Sequence, residues 1–148
     1  MNTIFNQSQL FSFLQPDDLL KRRSGRGQRG ILVILQNAEE GDPVDPSFLP
    51  KILQAIKLEQ EQDTWSLPIV ATEQISFNHV PDRSVLKTVL VFGASPKQLG
   101  LQFQIPHYQA RKISDLEFLF APELSVISNS QEDKKKLWRA LQALFLQS

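Results

Sequence analysis

The stretch that decides the fold is "ILVIL", residues 31–35. It is wholly apolar and rich in β-branched side chains, which is the pattern of a strand buried on both faces of a sheet. Three later runs have the same character: "LPIVAT" (67–72), "KTVLVFGA" (87–94) and "LEFLFAP" (116–122). The sequence therefore predicts four short buried strands, while "FQIPHYQARKI" (103–113) is ambiguous, with extended structure as one option.

Two amphipathic segments predict the main helices. In "FLPKILQAIKLEQEQ" (48–62) apolar side chains recur at helical spacing. The last segment, about 130–146, opens on Ser130 and Asp133, which resemble a capping box. Its apolar stripe is expected to pack on the sheet and to include Trp138 as a buried anchor. Near-continuously apolar strands alternating with helices predict an α/β protein: a three-layer α/β/α single domain with a mostly parallel four-stranded sheet.

Length and composition narrow the class of protein. The chain has 148 residues, which suits one domain, and no cysteine, which excludes disulfides and thiolate metal sites. No apolar run reaches the about 18–20 residues of a membrane span, and no signal peptide is recognisable. We therefore expect a soluble cytoplasmic protein that does not interact with membranes.

Charge is unevenly divided between two predicted parts, an N-terminal leader with a basic linker (1–30) and an α/β domain (31–148). The leader includes "QLFSFLQPDDLLKRRSGRGQRG" (9–30) and carries net charge +3, against −3 for the remainder. A basic arm on a mildly acidic body can contact nucleic acid or an acidic partner, or it can simply keep a linker solvated. The candidate contact residues are Lys21, Arg22, Arg23, Arg26 and Arg29.

The apolar side chains of the leader are the candidate partner-binding residues. They are Leu10, Phe11, Phe13, Leu14, Leu19 and Leu20. Residues 7–14 can form two helical turns, and an isolated helix that short is marginal in water. Such a peptide orders on docking into a groove of another protein. The alternative is that it folds back onto the sheet of its own domain.

No catalytic, cofactor or metal site is predicted. His79 and His107 stand next to prolines without the paired spacing that a zinc site requires. "GASPKQLG" (93–100) follows a strand but matches neither phosphate-binding fingerprint, and a tight turn with a capped helical turn explains it. No G-x-S-x-G elbow is present.

The segment "GDPVDP" (41–46) resembles the water-activating Gly-Gln-Asp-Pro-Tyr-His loop of uracil-DNA glycosylases. Its Gln, Tyr and His are absent, and no second histidine motif follows in "LFAPELS" (119–125). A plain turn before a capped helix is the competing explanation. A divergent glycosylase-like nucleic-acid enzyme therefore remains an alternative, for which base release dependent on Asp42 is the test.

Four stretches together resemble the psi subunit of bacterial DNA polymerase III holoenzyme, a clamp-loader accessory protein. They are "QLFSFLQPDDLLKRR" (9–23), "ILVILQNAEEG" (31–41), "DPSFLPKILQAI" (45–56) and "SDLEFLFAPELSVISNSQEDKKKLWRALQ" (114–142). The resemblance implies a fold similar to that of uracil-DNA glycosylases, without catalysis. It also implies that the N-terminal peptide binds clamp-loader ATPase subunits and that the folded body binds a chi-type subunit.

The expectation is thus a non-catalytic replisome adaptor that contacts DNA only indirectly or weakly. Phe11 and Phe13 would replace the tryptophan anchors that the psi peptides use. An interaction protein of some other complex, using the same leader for a different partner, is the remaining alternative.

Overall fold

The structure, a computed structural model, describes residues 24–36, 47–69, 86–101, 104–113 and 115–146. Five strands in these ranges form one sheet in the order β2-β1-β3-β5-β4. The strands are β1 (Ile31–Gln36), β2 (Thr64–Ile69), β3 (Thr88–Phe92), β4 (Arg111–Ile113) and β5 (Leu116–Ala121). The first three and β5 are parallel, and β4 pairs antiparallel with β5 at one edge. The chain is therefore a mixed α/β protein.

Four α-helices accompany the sheet within the described ranges. They are α1 (Phe48–Ala55), α2 (Gln60–Asp63), α3 (Leu124–Ser128) and α4 (Gln131–Leu141). A 3₁₀-helix follows β3 at Pro96–Leu99, and a π-helix continues α4 over Gln142–Leu146. None of the helices in this part of the chain is long and apolar enough to cross a membrane.

The sequence pattern predicts the central strands well. β3 and β5 lie within their predicted runs, β1 extends one residue beyond its run, and β2 begins three residues before "LPIVAT". Residues 70–72 of that run lie outside the described ranges. The fifth strand, β4, comes from the segment that the sequence leaves ambiguous, and it has only three residues.

The two faces of the sheet have separate apolar cores. Alternate strand residues such as Val33, Leu90 and Leu119 pack with buried side chains of α1, α3 and α4. Residues of opposite parity, such as Ile34, Val91 and Phe120, point to the second face. There the described cover comes from the 3₁₀-helix and the loop that carries Ile105, so a second helical layer stays a prediction.

Helix α1 is shorter than its sequence pattern predicts. Lys57 takes a left-handed conformation (φ 64°), its amide donates to the Gln54 carbonyl, and the Leu58 amide donates to the Leu53 carbonyl. This is the bonding of a Schellman motif, which normally has glycine at the left-handed position. The prediction that the helix continues through residue 62 is therefore wrong, because a lysine ends it where glycine would have signalled the stop.

The position of the last helix is confirmed, but one of its residues does not face the core as predicted. Ser130 Oγ accepts a hydrogen bond from the Asp133 amide at 3.1 Å, as the capping pattern predicts. Leu137 and Leu141 are buried, whereas Trp138 is 38% exposed. The prediction that Trp138 is a buried anchor is therefore wrong, since one residue rotates about 100° around a helix and carries Trp138 off the buried stripe.

Candidate functional site

The residues predicted to bind a partner lie mostly outside the described ranges. These are Leu10, Phe11, Phe13, Leu14, Leu19, Leu20, Lys21, Arg22 and Arg23. Asp42, the residue of the glycosylase-like alternative, and His79, which was not expected to bind metal, also lie outside these ranges. Arg26 and Arg29 are described. They belong to residues 24–30, the C-terminal end of the predicted leader, which we term the leader base.

The leader base is hydrogen-bonded along the outer edge of the sheet. Ser24 and Ser66 form an isolated antiparallel bridge and exchange both backbone hydrogen bonds, at 2.9 and 2.8 Å. The amides of residues 26–29 donate to carbonyl oxygens of residues 61–64, with N···O distances from 2.7 to 3.2 Å. Six backbone bonds therefore hold this segment against α2 and β2, the strand at the end of the sheet.

Two glycines of the leader base allow this close approach. Gly25 and Gly27 have φ angles of +96° and +60°, in the left-handed region. A methyl group on Gly27 would stand 2.0 Å from Cε2 of Trp65, and one on Gly25 would stand 2.2 Å from the Thr64 carbonyl oxygen. Any side chain at either position would collide with the edge strand, so glycine is required here for packing as well as for conformation.

Two adjoining cavities flank the leader base. One, of about 340 Å³, lies against Arg26, and the other, of about 430 Å³, lies against Ser24. Residues shared by both are Pro50, Gln60 and Glu61. Most of the residues that line the first cavity are polar: they contribute side-chain amides, one guanidinium and the carboxylates of Glu59 and Glu61. The cavity therefore suits a polar group rather than an apolar one.

The two described cations of the leader are exposed but differ in surroundings. Arg26 lines the first cavity beside two glutamates, whose charges weaken its attraction for a phosphate. Arg29 is exposed, and its amide is the last of the leader base to bond the edge of the domain, at the Asp63 carbonyl. The prediction that these arginines contact nucleic acid or an acidic partner stays a prediction.

The carboxyl ends of the central strands contain an amide network. In the strand order β2-β1-β3, the gap between β1 and β3 is where an open α/β sheet normally binds its ligand. Here Gln98 Nε2 donates to Gln36 Oε1 at 2.7 Å, and Gln36 Nε2 donates to the Gly93 carbonyl at 3.3 Å. The Ser95–Gln98 capping box fixes the 3₁₀-helix that carries Gln98, as the turn interpretation of "GASPKQLG" predicts. Neutral amides thus occupy this position in the described part of the chain.

Tyr108 and Asp133 form the one hydrogen-bonded pair with shifted pKa values in the described ranges. The Tyr108 hydroxyl donates to Asp133 Oδ1 at 2.8 Å, and the Tyr108 amide donates to the Phe120 carbonyl at 2.9 Å. The hydrogen bond from Tyr108 lowers the pKa of Asp133, and burial together with Asp133 raises the pKa of Tyr108. The pair ties the loop before β4 to the first turn of α4. Sequence reasoning missed it, because only the capping role of Asp133 leaves a local pattern.

The remaining polar residues form no recognisable metal site. His107 is exposed and stands edge-to-face with Tyr108, with 6.1 Å between ring centroids. In the ranges that the structure covers, no three His, Cys, Asp or Glu side chains are grouped to hold a metal ion. The absence of metal, cofactor and catalysis remains a prediction, since Asp42 and His79 fall outside those ranges.

No protein-family model matches the chain, and no curated protein sequence matches it significantly. The resemblance to psi subunits therefore rests on the four sequence stretches alone.

Proposed function

We propose that this protein is a non-catalytic adaptor of the bacterial replisome resembling the psi subunit of DNA polymerase III, and that it acts in the cytoplasm. Its N-terminal peptide, with Leu10, Phe11 and Leu14 on one helical face, binds the ATPase subunits of the clamp loader. Its folded body binds a chi-type subunit. The body has a three-layer α/β/α arrangement similar to that of uracil-DNA glycosylases.

The observation that carries this proposal is the attachment of the leader base. Six backbone bonds hold residues 24–29 on the edge of the sheet, so the leader is joined to the domain at a defined point, Ser24. A binding peptide that starts at a fixed position loses less orientational freedom on docking than one on a free linker. Fixed attachment next to an apolar and basic peptide suits a partner-binding role.

The non-catalytic part of the proposal is supported by the carboxyl ends of the strands. The Gln36–Gln98 network places neutral amides between β1 and β3, where an α/β enzyme would hold reactive groups. Neither amide can act as a general acid or base near neutral pH. The proposal of weak or indirect DNA contact is supported by the net charge of −3 on residues 31–148 and by the glutamates around Arg26.

A binding experiment with matched leader variants tests the proposal. The full chain, a variant lacking residues 1–20, and the variant Leu10→Ala/Phe11→Ala/Leu14→Ala are each mixed with purified clamp-loader ATPase subunits. Both deletion and triple substitution retain the leader base, so circular dichroism should show an unchanged fold. The matched control is Lys21→Gln/Arg22→Gln, which changes charge but leaves every apolar anchor in place.

We expect the full chain and the charge control to bind and the two apolar variants to lose binding. Burial of each large apolar side chain contributes about 1.5–3 kcal/mol, so loss of three should weaken binding by at least about 100-fold. Undiminished binding after deletion would reject the role of the leader. Failure of the full chain to bind the ATPase subunits would reject the replisome function itself.

A further inference from the structure

The outward surface of α4 and the π-helix carries two exposed apolar side chains, Trp138 and Leu146, which we term the apolar stripe. Trp138 is 38% exposed and Leu146 is 40% exposed. They are eight positions apart, a spacing that places side chains on one side of a helix. A tryptophan that is neither in the core nor fully solvated is a frequent anchor of protein interfaces.

The charges around this stripe have one sign. Lys134 and Lys135 precede Trp138 by four and three positions, which places them beside it on the helix, and Arg139 follows it. Within the described residues the structure gives these three cations no ion pair. We term Lys134, Lys135, Trp138, Arg139 and Leu146 the α4 patch.

The acidic residues of the same helix do not neutralise the patch. Glu132 pairs with Lys136 at 3.3 Å, so these two charges largely compensate each other. Asp133 keeps its negative charge; its carboxylate accepts the Tyr108 hydroxyl, and the helix cation whose charge acts on it is Lys136 rather than a member of the α4 patch. The α4 patch therefore combines apolar contact area with three positive charges that form no ion pair with any residue in the described ranges.

We propose that the α4 patch is a docking surface for an acidic amphipathic segment of a partner protein. Carboxylates of that segment pair with Lys134, Lys135 and Arg139, and an apolar side chain packs on Trp138. None of its residues belongs to the leader, so it would be a second contact of the protein, and it does not depend on the proposed replisome function.

The positive charge of the α4 patch indicates which kind of molecule binds it. A second copy of the chain would bring six cations together across a two-fold interface and would be repelled, whereas an acidic segment is attracted. The apolar part of the chain's own leader carries Asp17 and Asp18, and its cations begin only at Lys21, so deletion of residues 1–20 distinguishes it from a partner segment: removal of a competing leader would strengthen peptide binding. Single-stranded nucleic acid fits less well, because it binds along successive aromatic platforms, and the second apolar member of this stripe is Leu146, which has no ring.

Direct titration of the full-length chain tests this surface. The probe is a fluorescein-labelled synthetic helical peptide with a Leu/Phe stripe and glutamates beside it, followed by fluorescence anisotropy at low and high salt. The comparison ligands are a peptide of the same composition in scrambled order, a peptide with lysine in place of each glutamate, and an oligothymidylate of about 20 nucleotides. The protein variants are Trp138→Ala and Lys134→Gln/Lys135→Gln/Arg139→Gln, and the matched control is Lys136→Gln, since Lys136 is already paired.

We expect the ordered acidic peptide to bind, and each patch variant to weaken it at least about tenfold, as loss of a tryptophan or charge-pair hot spot does. Lys136→Gln should change the dissociation constant less than about twofold, and the triple variant should lose most of the salt dependence. Deletion of residues 1–20 should leave this binding unchanged. Equal binding of the scrambled peptide, equal binding by Trp138→Ala, or tighter binding of the oligothymidylate would each overturn the proposal.

Discussion

Replacement of Gly27 by alanine provides the sharpest test of how the leader base is held. The new methyl group would stand 2.0 Å from Cε2 of Trp65, in a residue with φ of +60°. A left-handed alanine costs about 1–2 kcal/mol. Forcing the buried Trp65 ring to move adds about 1–3 kcal/mol, the usual cost of overpacking. We therefore expect Gly27→Ala to lower the free energy of unfolding by about 2–5 kcal/mol.

Gly100 offers a matched control for the conformational part of this loss. It is also left-handed, with φ of 75°, but it is exposed at the end of the 3₁₀-helix. Gly100→Ala should therefore cost only the about 1–2 kcal/mol of backbone strain. The excess loss in Gly27→Ala measures the collision with Trp65.

The assay is urea unfolding followed by far-ultraviolet circular dichroism, because fluorescence would change with Trp65 itself. In a Trp65→Ala background the collision is absent, so Gly27→Ala should cost no more than Gly100→Ala, a coupling of about 1–3 kcal/mol. Hydrogen exchange gives an independent measure: the Arg26 amide, bonded to the Glu61 carbonyl at 2.7 Å, should exchange more slowly than in an unstructured peptide. Equal losses for the two glycine variants, with rapid exchange at Arg26, would refute the packing described for residues 24–30.

Three further measurements address the body of the protein. Leu137→Ala should lower the free energy of unfolding by about 2–5 kcal/mol, whereas Trp138→Ala should cost about 1 kcal/mol or less, and urea denaturation yielding equal losses would contradict the orientation of α4. Tyr108→Phe should destabilise the protein at pH 7. Because the pKa of Asp133 is lowered in the folded state, the stabilisation is present above the usual carboxyl pKa of 3.8 and is lost as pH falls through the lower folded value, so the difference between wild type and variant in unfolding experiments should shrink as the pH is lowered below 3.8. Gly93→Ala places a methyl group 2.3 Å from the last carbonyl oxygen of β1 and should cost at least about 2 kcal/mol by the same assay, while a neutral result would contradict the close contact there.

The central strands can be predicted from the sequence because burial on both faces leaves a simple signal. Every residue of β3 is buried, and β1 is buried over its first four positions, so neither strand alternates between apolar and polar side chains. The start of β2 is harder to recognise, since Thr64 and Ser66 are buried polar residues. Their hydroxyl groups hydrogen-bond with Gln60 in α2, a partner that no local pattern reveals.

Helix ends and orientations were predicted less well for a physical reason. The left-handed residue that ends α1 is Lys57, so the usual glycine signal is missing. Trp138 is apolar and adjacent to Leu137, and hydrophobicity alone does not distinguish a buried position from its exposed neighbour. α3 has only five residues, too few for helical periodicity to be recognised.

The candidate site was predicted only in part. The glycines of "SGRGQRG" (24–30) are typical of a linker, yet Gly25 and Gly27 are required by contacts with Thr64 and Trp65, about forty positions away in the sequence. Contacts between residues so far apart produce no periodic pattern in the sequence. The Gln36–Gln98 bond has the same character, since it joins residues 62 positions apart.

The attachment of residues 24–29 to the sheet edge also has a mechanical consequence. Tension applied to the N-terminal peptide enters the domain at Ser24 and passes through six backbone hydrogen bonds into α2 and β2 before it reaches the ladder between β1 and β2. The load that arrives at Ser24 is shared between these bonds and the covalent path through Gly30 into β1, with no slack segment between residues 24 and 31. Residues 24–30 thus act as a clamp on the edge of the sheet, and the sheet turns with them.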